Sequence, residues 1–449
     1  MASKTASKET SFLIVGAGTF GLSTALHLTN RGYKNIVVLD RGDDVPSAFS
    51  AGNDVNKIVR ADYEDPFYAT HALKAIHAWR NSPIFSPHYH HSGYLVTSSA
   101  SAPSKATSHV TRLITALSSH PDQPKSSVAV LHTPEDVQST VPHLTGPLTG
   151  WSGYYNSNAG YAQAAPALKA LYTELLARGV EFRLGDSGHA VSILPDTQTA
   201  KAFPAPRPYI RTADGKIHCA DLVILALGAH TARLLSVAGA QLTAKAWAVG
   251  HVRVSAQEAA HLRGLPVVNC RDVGFFFEPV PAGDEHGQEW LIKVCAHGGG
   301  YTNRGRAATS LPPWQAEENK AIPVEDEMLM RRLLRETLPE LAKRRLERRF
   351  MCWCADTADS EYVIDYVPGY RKGLVLAGGD SGHGFKMLPV FGGWVVDLVE
   401  RGQQTEKRWR WKTGDSDGQE ELGWRVGGVR DIREVQRMGD GAEATRPRL

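Results

Sequence analysis

Phe12 to Val15 is a short apolar run, and Gly16, Gly18 and Gly21 follow it with the spacing GxGxxG. A continuous apolar run of that length suits a parallel strand buried on both faces. Gly16 permits a tight turn, Gly18 lets the backbone approach a pyrophosphate, and Gly21 lets a helix press on the strand. The helix predicted by the spacing of Leu22, Ala25 and Leu26 then turns its N-terminal N–H groups toward the phosphates. Gly32 stops it, and Ile36 to Leu39 form a second strand ending in Asp40, where an acid accepts the hydroxyls of an unphosphorylated ribose. The unit predicts a bound dinucleotide, FAD or NAD, with Thr19, Phe20 and Arg41 among its contacts.

At 449 residues the chain exceeds one typical core, so two domains are expected. A net charge of +3 with 22% charged residues gives no general field for nucleic acid or an anionic membrane, and neither partner is expected. The longest apolar stretch, Leu222 to Leu227, has the length of a strand, and the polar start lacks a secretory core. Five scattered cysteines, an odd number, argue against a disulfide framework. A monomer inside the cell is expected, in the cytoplasm or the peroxisome. Pro447, Arg448 and Leu449 carry only the basic-then-leucine half of a peroxisomal tail signal.

After the βαβ unit, residues 46–60 form a loop of small and polar residues at the edge where ligands lie in a doubly wound sheet, so Lys57 and Arg60 are candidate site cations. Ala72, Leu73, Ile76 and Trp79 predict a helix, and Ser99 to Ser108 reads as a loop. His88, His90 and His91 lack the spacing and the carboxylate partner of a metal site, and no metal is expected. Ala164 to Arg178 is an amphipathic helix, Val180 to Leu184 a strand, and Leu222 to Leu227 a strand stopping on Gly228, a second close approach to the cofactor. The pattern then alternates over 247–254, 273–280 and 290–294, as in an antiparallel sheet. Lys293 lies inside the last of these strands and Glu278 follows three phenylalanines; charges in such company pair or work. Met328 to Arg349 reads as one solvated amphipathic helix. A second glycine loop, 378–386, precedes an apolar helix over 390–399. Trp409, Trp411 and Trp424 are the expected anchors of a polar C-terminal segment.

Five segments stand out: Ser-Ala-Gly-Asn-Asp-Val-Asn-Lys at 50–57, Ala-Lys-Ala-Trp with Gly-His at 244–251, Asp-Val-Gly-Phe-Phe-Phe-Glu-Pro at 272–279, Cys-Trp-Cys-Ala-Asp-Thr at 352–357 and Gly-Asp-Ser-Gly-His-Gly-Phe-Lys at 379–386. Together they resemble the fungal fructosyl amino acid oxidases (amadoriases) and, more widely, the monomeric sarcosine and pipecolate or saccharopine oxidases. The resemblance implies FAD rather than NAD, tethered by a thioether from Cys352, with Ser50, Lys57, Asp380, Gly382, Gly384, Phe385 and Lys386 at the cofactor. It implies that Lys293 promotes the reaction of the flavin with dioxygen, that His297 is an active-site histidine, and that Arg60 and Lys386 clamp a substrate carboxylate. Arginine suits a bidentate carboxylate contact, and lysine adds a point charge. Arg60 is the mark of the pipecolate and saccharopine branch, whereas Glu278 is amadoriase-like.

The implied reaction is oxidation of the C–N bond of a secondary amine in an N-substituted amino acid, giving an imine that hydrolyses to carbonyl and amine, with dioxygen reduced to hydrogen peroxide. A sarcosine-, pipecolate- or saccharopine-like substrate is the first reading. A fructosyl amino acid, or a tailoring reaction that forms an imine for cyclisation, is the alternative. A flavin hydroxylase or dehydrogenase using another acceptor is opposed by Lys293. A non-enzymatic flavin-binding module is opposed by the joint presence of cofactor anchor, oxygen cation and carboxylate clamp. The expected fold class is α/β, a Rossmann-type FAD-binding domain with a second α+β substrate domain on a mainly antiparallel sheet. Segments 11–98, 161–235 and 346–400 are assigned to the first, 99–160 and 236–345 to the second, and 401–449 to a C-terminal extension.

Overall fold

Every residue of β1 (Phe12–Val15) is buried, because the strand is paired on both edges and covered on both faces. The computed structural model describes residues 6–194, 208–281, 289–304, 309–413 and 425–438. β1 runs parallel to β2 (Ile36–Leu39) on one side and to Leu222–Leu225 on the other. The six-stranded sheet has the order Val363–Tyr366, Leu374–Gly378, Leu222–Leu225, β1, β2, Glu181–Arg183, and the first pair alone is antiparallel. Helix α1 (Thr19–Asn30) packs closely on the helix Phe391–Arg401. A Cβ on Gly392 would lie 2.0 Å from the Ser23 carbonyl oxygen, and Ser23 Oγ both accepts from Gly392 N–H at 2.8 Å and donates to the Leu388 carbonyl at 2.6 Å.

An eleven-stranded, mainly antiparallel sheet forms the second layer. Its long strand Thr243–Val254 pairs with Trp290–Ala296 on one edge and Leu346–Asp356 on the other, which puts His251 opposite Lys293 and Trp247 opposite Cys352. Tyr94–Ser98 runs parallel to Val267–Cys270 in the same sheet. By pairing, therefore, Tyr94–Ser98 and Leu346–Asp356 lie in the large sheet, although they fall within segments 11–98 and 346–400. A three-stranded sheet of Lys57–Val59, Gly160–Ala162 and Tyr89–His90 carries Lys57 and leads directly into Arg60. No helix among the described residues is long and apolar enough to cross a membrane.

The structure corrects several boundaries. The helix expected over 328–349 spans Val324–Thr337 and stops before Pro339, and the chain then enters the strand Leu346–Asp356, where pairing with Thr243–Val254 overrides local helical preference. The loop expected at 99–108 gives way to a helix, Ser104–Ser119, whose buried stripe of Ala106, Val110, Leu113 and Leu117 lies mostly beyond that window. The strand expected over 273–280 breaks into Gly274–Phe276 and Val280–Pro281. Trp409 is buried against the first core and Trp411 packs on the neighbouring one, whereas Trp424 lies outside the described residues. His90 stacks on Tyr161 with ring centroids 4.6 Å apart, and His91 bonds to Arg80 at 2.8 Å.

Candidate active site

The turn after β1 works through its glycines. Gly16 has φ +111°, and a Cβ there would lie 2.4 Å from the Ala226 carbonyl oxygen, so the turn passes against the end of the neighbouring strand as no other residue could. Gly18 precedes α1 with no side-chain cap on the helix, whose N-terminus lines a cleft together with Thr19, Phe20, Asp40, Arg41 and Ser50. Asp40 accepts from Ala17 N–H at 2.7 Å and Gly42 N–H at 2.8 Å, and burial pushes its pKa up despite those bonds. Arg41 lies 3.4 Å from the Phe49 ring centroid, with its pKa pushed down to about 10 by burial. Gly228, Asp380, Gly382, Gly384 and Phe385 line the same cleft, and Gly382 has φ +74°. Burial pushes Asp380 up to about 6.

These residues fit a dinucleotide. A glycine cradle and an uncapped helix N-terminus suit the pyrophosphate, and an acid at the end of β2 suits a ribose. The cleft also contains His230, whose buried Nδ1 has no protein partner and whose pKa is pushed to about 3 by burial and then by Arg41. Near the lysines described next, the side-chain amide of Asn56 is fully buried with neither its nitrogen nor its oxygen bonded. Unsatisfied buried polar atoms of this kind call for a ligand's donors and acceptors.

The second part of the site is a shared carboxylate. Asp54 Oδ2 accepts from Lys293 Nζ at 2.5 Å and pairs with Lys57 Nζ at 2.8 Å, and Lys293 also donates to the Asn56 carbonyl at 2.9 Å. Burial alone would raise the Asp54 pKa, but the charges of Lys293 and Lys57 outweigh it and hold the carboxyl well below its usual range. Lys57 Nζ lies 3.5 Å from Cys352 Sγ. A hydrogen bond from the Cys354 thiol, followed by the Lys57 charge, outweighs burial and lowers the Cys352 pKa while that of Cys354 is raised, so Cys352 is the more readily ionised of the two. Sequence reasoning found Lys57, Lys293 and Cys352 but missed Asp54. Its signal was an acid three residues before a lysine in a loop already marked as a ligand edge.

The third part brings Arg60 and Lys386 onto one ring. Arg60 lies 5.2 Å and Lys386 Nζ 5.1 Å from the Tyr63 ring centroid, and Lys386 donates to Tyr63 OH at 3.0 Å. Burial and then the Arg60 charge drive the Lys386 pKa well below the usual lysine value. His297 Nε2 bonds to Asn269 Oδ1 at 2.8 Å, and burial, then Arg271, push it well below its usual pKa, so it is neutral at pH 7. Glu278 stands in a separate set of contacts: Tyr161 OH donates to one oxygen at 2.9 Å and Gly264 N–H to the other at 2.8 Å.

Replacing Asp54 with Asn leaves the buried Lys293 and the half-buried Lys57 without their counter-charge, and loss of one partner from a buried pair costs about 3–5 kcal/mol. The sign with pH follows from the depressed carboxyl: its stabilisation is complete above the unfolded pKa of about 4 and is lost as pH falls. Urea denaturation at pH 7 and in acid checks this; Asp54→Asn should be markedly less stable at pH 7, and its difference from wild type should shrink in acid.

The comparisons with known proteins agree with this geometry. The sequence model of the family described as FAD dependent oxidoreductase matches residues 11–398. L-saccharopine oxidase from Schizosaccharomyces pombe is 32% identical over 432 residues, spanning 92% of this chain and 95% of that protein. Monomeric sarcosine oxidase from a Bacillus species is 25% identical over 397 residues, spanning 87% of this chain and 92% of that protein. The crystal structure of fructosamine oxidase from Aspergillus fumigatus (Amadoriase II) superposes with a TM-score of 0.83 at 34% identity, covering 98% of this chain and 99% of that one. With a family match across most of the chain, and a cleft whose glycines, acid and helix end suit a dinucleotide, the chain belongs to the FAD dependent oxidoreductases.

Proposed function

We propose that the protein oxidises a secondary amine carried by an amino acid, of the saccharopine, pipecolate or sarcosine type, with dioxygen as electron acceptor. The observation that carries this reading is the convergence of Arg60 and Lys386 on Tyr63. A half-buried arginine and a buried lysine on one ring, the lysine with its charge strongly disfavoured, make a site that gains by receiving a carboxylate. The similarity to a saccharopine oxidase over nearly the whole chain supports the same reading. In this division of labour the six-stranded sheet and its glycine loops line the cofactor cleft and carry Lys386, the three-stranded sheet leads into Arg60, and the large sheet supplies Lys293 and Cys352.

FAD bound in the cleft would accept a hydride from the carbon beside the amine nitrogen and pass the electrons to dioxygen. Arg60 and Lys386 fix the carboxylate and so orient that carbon. Their field also favours the unprotonated amine, the form with an electron pair to release. With Cys352 consumed in a neutral thioether, Lys57 and Lys293 share the single carboxylate of Asp54, so this cluster keeps one net positive charge, which favours negative charge forming beside it. Cys352, as the thiolate beside Lys57, is the residue that tethers the flavin.

A second reading, oxidation of a fructosyl amino acid, is favoured by the amadoriase-like identity of Glu278 in the sequence and by the similarity to fructosamine oxidase structures. Anaerobic mixing with substrates, following loss of the oxidised flavin absorbance, separates the two. Sarcosine, pipecolate or saccharopine should bleach the flavin while fructosyl-valine and fructosyl-lysine do not. Bleaching by the fructosyl compounds alone would give the second reading, and bleaching by neither set would overturn both. On acid precipitation, wild-type protein should carry its flavin into the pellet and Cys352→Ser should release it; colour retained in the variant's pellet would place the tether elsewhere.

A further inference from the structure

Lys386 is buried, and its place is fixed from both ends. Trp79 Nε1 donates to its carbonyl at 2.8 Å, while its Nζ donates to Tyr63 OH at 3.0 Å and to the His383 carbonyl at 3.3 Å. The direction of the bond to Tyr63 follows from the histidine. His383 Nε2 meets the Ser360 carbonyl at 2.9 Å, and a carbonyl only accepts, so Nε2 carries the ring proton. Burial pushes the ring's pKa down to about 3, which leaves Nδ1 as an acceptor. Tyr63 OH lies 3.1 Å from Nδ1 and donates its one proton there, so its oxygen accepts from Lys386. Tyr362 OH, 3.2 Å from the same Nδ1, donates instead to the His383 carbonyl at 3.3 Å.

These two acceptors use two N–H bonds of Lys386; an amine has two, and an ammonium has three. Among the described residues no acid pairs with Lys386 to take the third. The carboxylate of Asp62 accepts from Tyr154 OH at 2.9 Å and from Asn156 Nδ2 at 3.1 Å, and its backbone carbonyl accepts from Arg60. The other charged or titratable groups around Nζ are Arg60, Tyr63, Tyr362 and His383, and burial pushes both tyrosines up, so both phenols stay uncharged. Before substrate arrives, the uncharged amine thus satisfies each of its N–H groups and keeps its electron pair unshared, whereas an ammonium would bury an unpartnered N–H. Burial and then the Arg60 charge, which drive the Lys386 pKa well below its usual value, act in the same direction.

We propose that Lys386 is the base of this site: its electron pair takes the proton from the ammonium of the arriving amino acid, which enters as the zwitterion and becomes the free amine in place. This rests on the reading of Arg60 and Lys386 as the carboxylate clamp. The nitrogen of such a substrate stands one carbon from its carboxylate, so the lysine that meets the carboxylate has the ammonium within reach. One N–H bond breaks on the substrate, one forms on Nζ, and no electrons change hands. The transfer leaves the lysine charged where the carboxylate balances it, and leaves the substrate nitrogen with the electron pair that oxidation of its C–N bond requires. When the product takes its carboxylate away, Lys386 loses that counter-charge and gives the proton to water.

Proton uptake on binding tests this without turnover. Holoenzyme is titrated at pH 8 with propionate, a carboxylate that brings no ammonium, by calorimetry in two buffers of different ionisation enthalpy. Wild type should take up about one proton per propionate bound, because the anion raises the lysine's pKa and the proton must come from solvent. Lys386→Arg keeps the cation but cannot lose its proton, so it should bind propionate with no uptake. Lys386→Met should bind it at least tenfold more weakly, again with no uptake. The limiting rate of anaerobic flavin reduction, measured with the substrate that bleaches the flavin, gives the second readout. It should be level over about pH 7 to 9 in wild type and fall about tenfold per pH unit toward acid in Lys386→Arg, where the substrate must lose its proton unaided. Level profiles in both proteins would overturn the proposal. If wild type takes up no proton while Lys386→Met weakens propionate binding, the clamp stands and Lys386 is not the base. If propionate binds equally to wild type and Lys386→Met, or to neither, the clamp reading fails and this proposal falls with it.

Discussion

One carboxylate holds the two halves of the site together. Asp54 belongs to the loop that leaves the cofactor edge of the six-stranded sheet, and Lys293 to a central strand of the large sheet, so their ion pair at 2.5 Å crosses the boundary between layers. Lys57 uses the same oxygen at 2.8 Å, which makes a triad of two cations and one anion, buried except at Lys57. Such a group is costly to desolvate and collapses if one member is removed, so it specifies position more than it adds stability. Through it Cys352, Lys293 and the carbonyl of Asn56 have fixed relations to one another.

The chain builds a positive field with a gradient. At one end Lys57 and Lys293 are half-neutralised by Asp54; at the other Arg60 and Lys386 lie within the field of Asp62. The histidines within this field, His297 and His383, are pushed well below their usual pKa by burial and neighbouring cations and stay neutral at pH 7. They therefore act as neutral hydrogen-bonding groups, His297 to Asn269 and His383 to the Ser360 carbonyl. The strong positive potential is reserved for anions and selects against a protonated amine. Glu278 takes no part in it, because both its oxygens meet Tyr161 and Gly264.

The cofactor half of the site was legible in the sequence because its determinants are local. Three glycines, an apolar strand on each side and an acid at the second strand's end lie within 30 residues and each has a steric or electrostatic reason. The large sheet was less legible, since its pairings join distant segments, Thr243–Val254 with Leu346–Asp356 and Tyr94–Ser98 with Val267–Cys270. Local pattern misread the first of these as the end of a helix, and nothing local revealed that Tyr94–Ser98 leaves the first sheet. The clamp was named by resemblance alone: Lys386 meets Tyr63 across 323 positions, a contact that no periodicity encodes. Asp54 went unnoticed for the same reason, as a polar residue in a loop-like stretch whose burial appears only after the sheets assemble.

The central claim is that the buried lysine held by Asp54 serves the oxygen half of the reaction while the clamp serves the amine half. Rapid-mixing kinetics of Lys293→Met, with flavin reduction by substrate followed anaerobically and reoxidation followed after adding dioxygen, measures the two separately. Reoxidation should slow by about 100- to 1,000-fold, the range for removing one preorganised charge-stabilising group, while reduction stays within a few-fold of wild type. Equal rates in both halves, or equal slowing of both, would contradict the assignment of Lys293 to dioxygen.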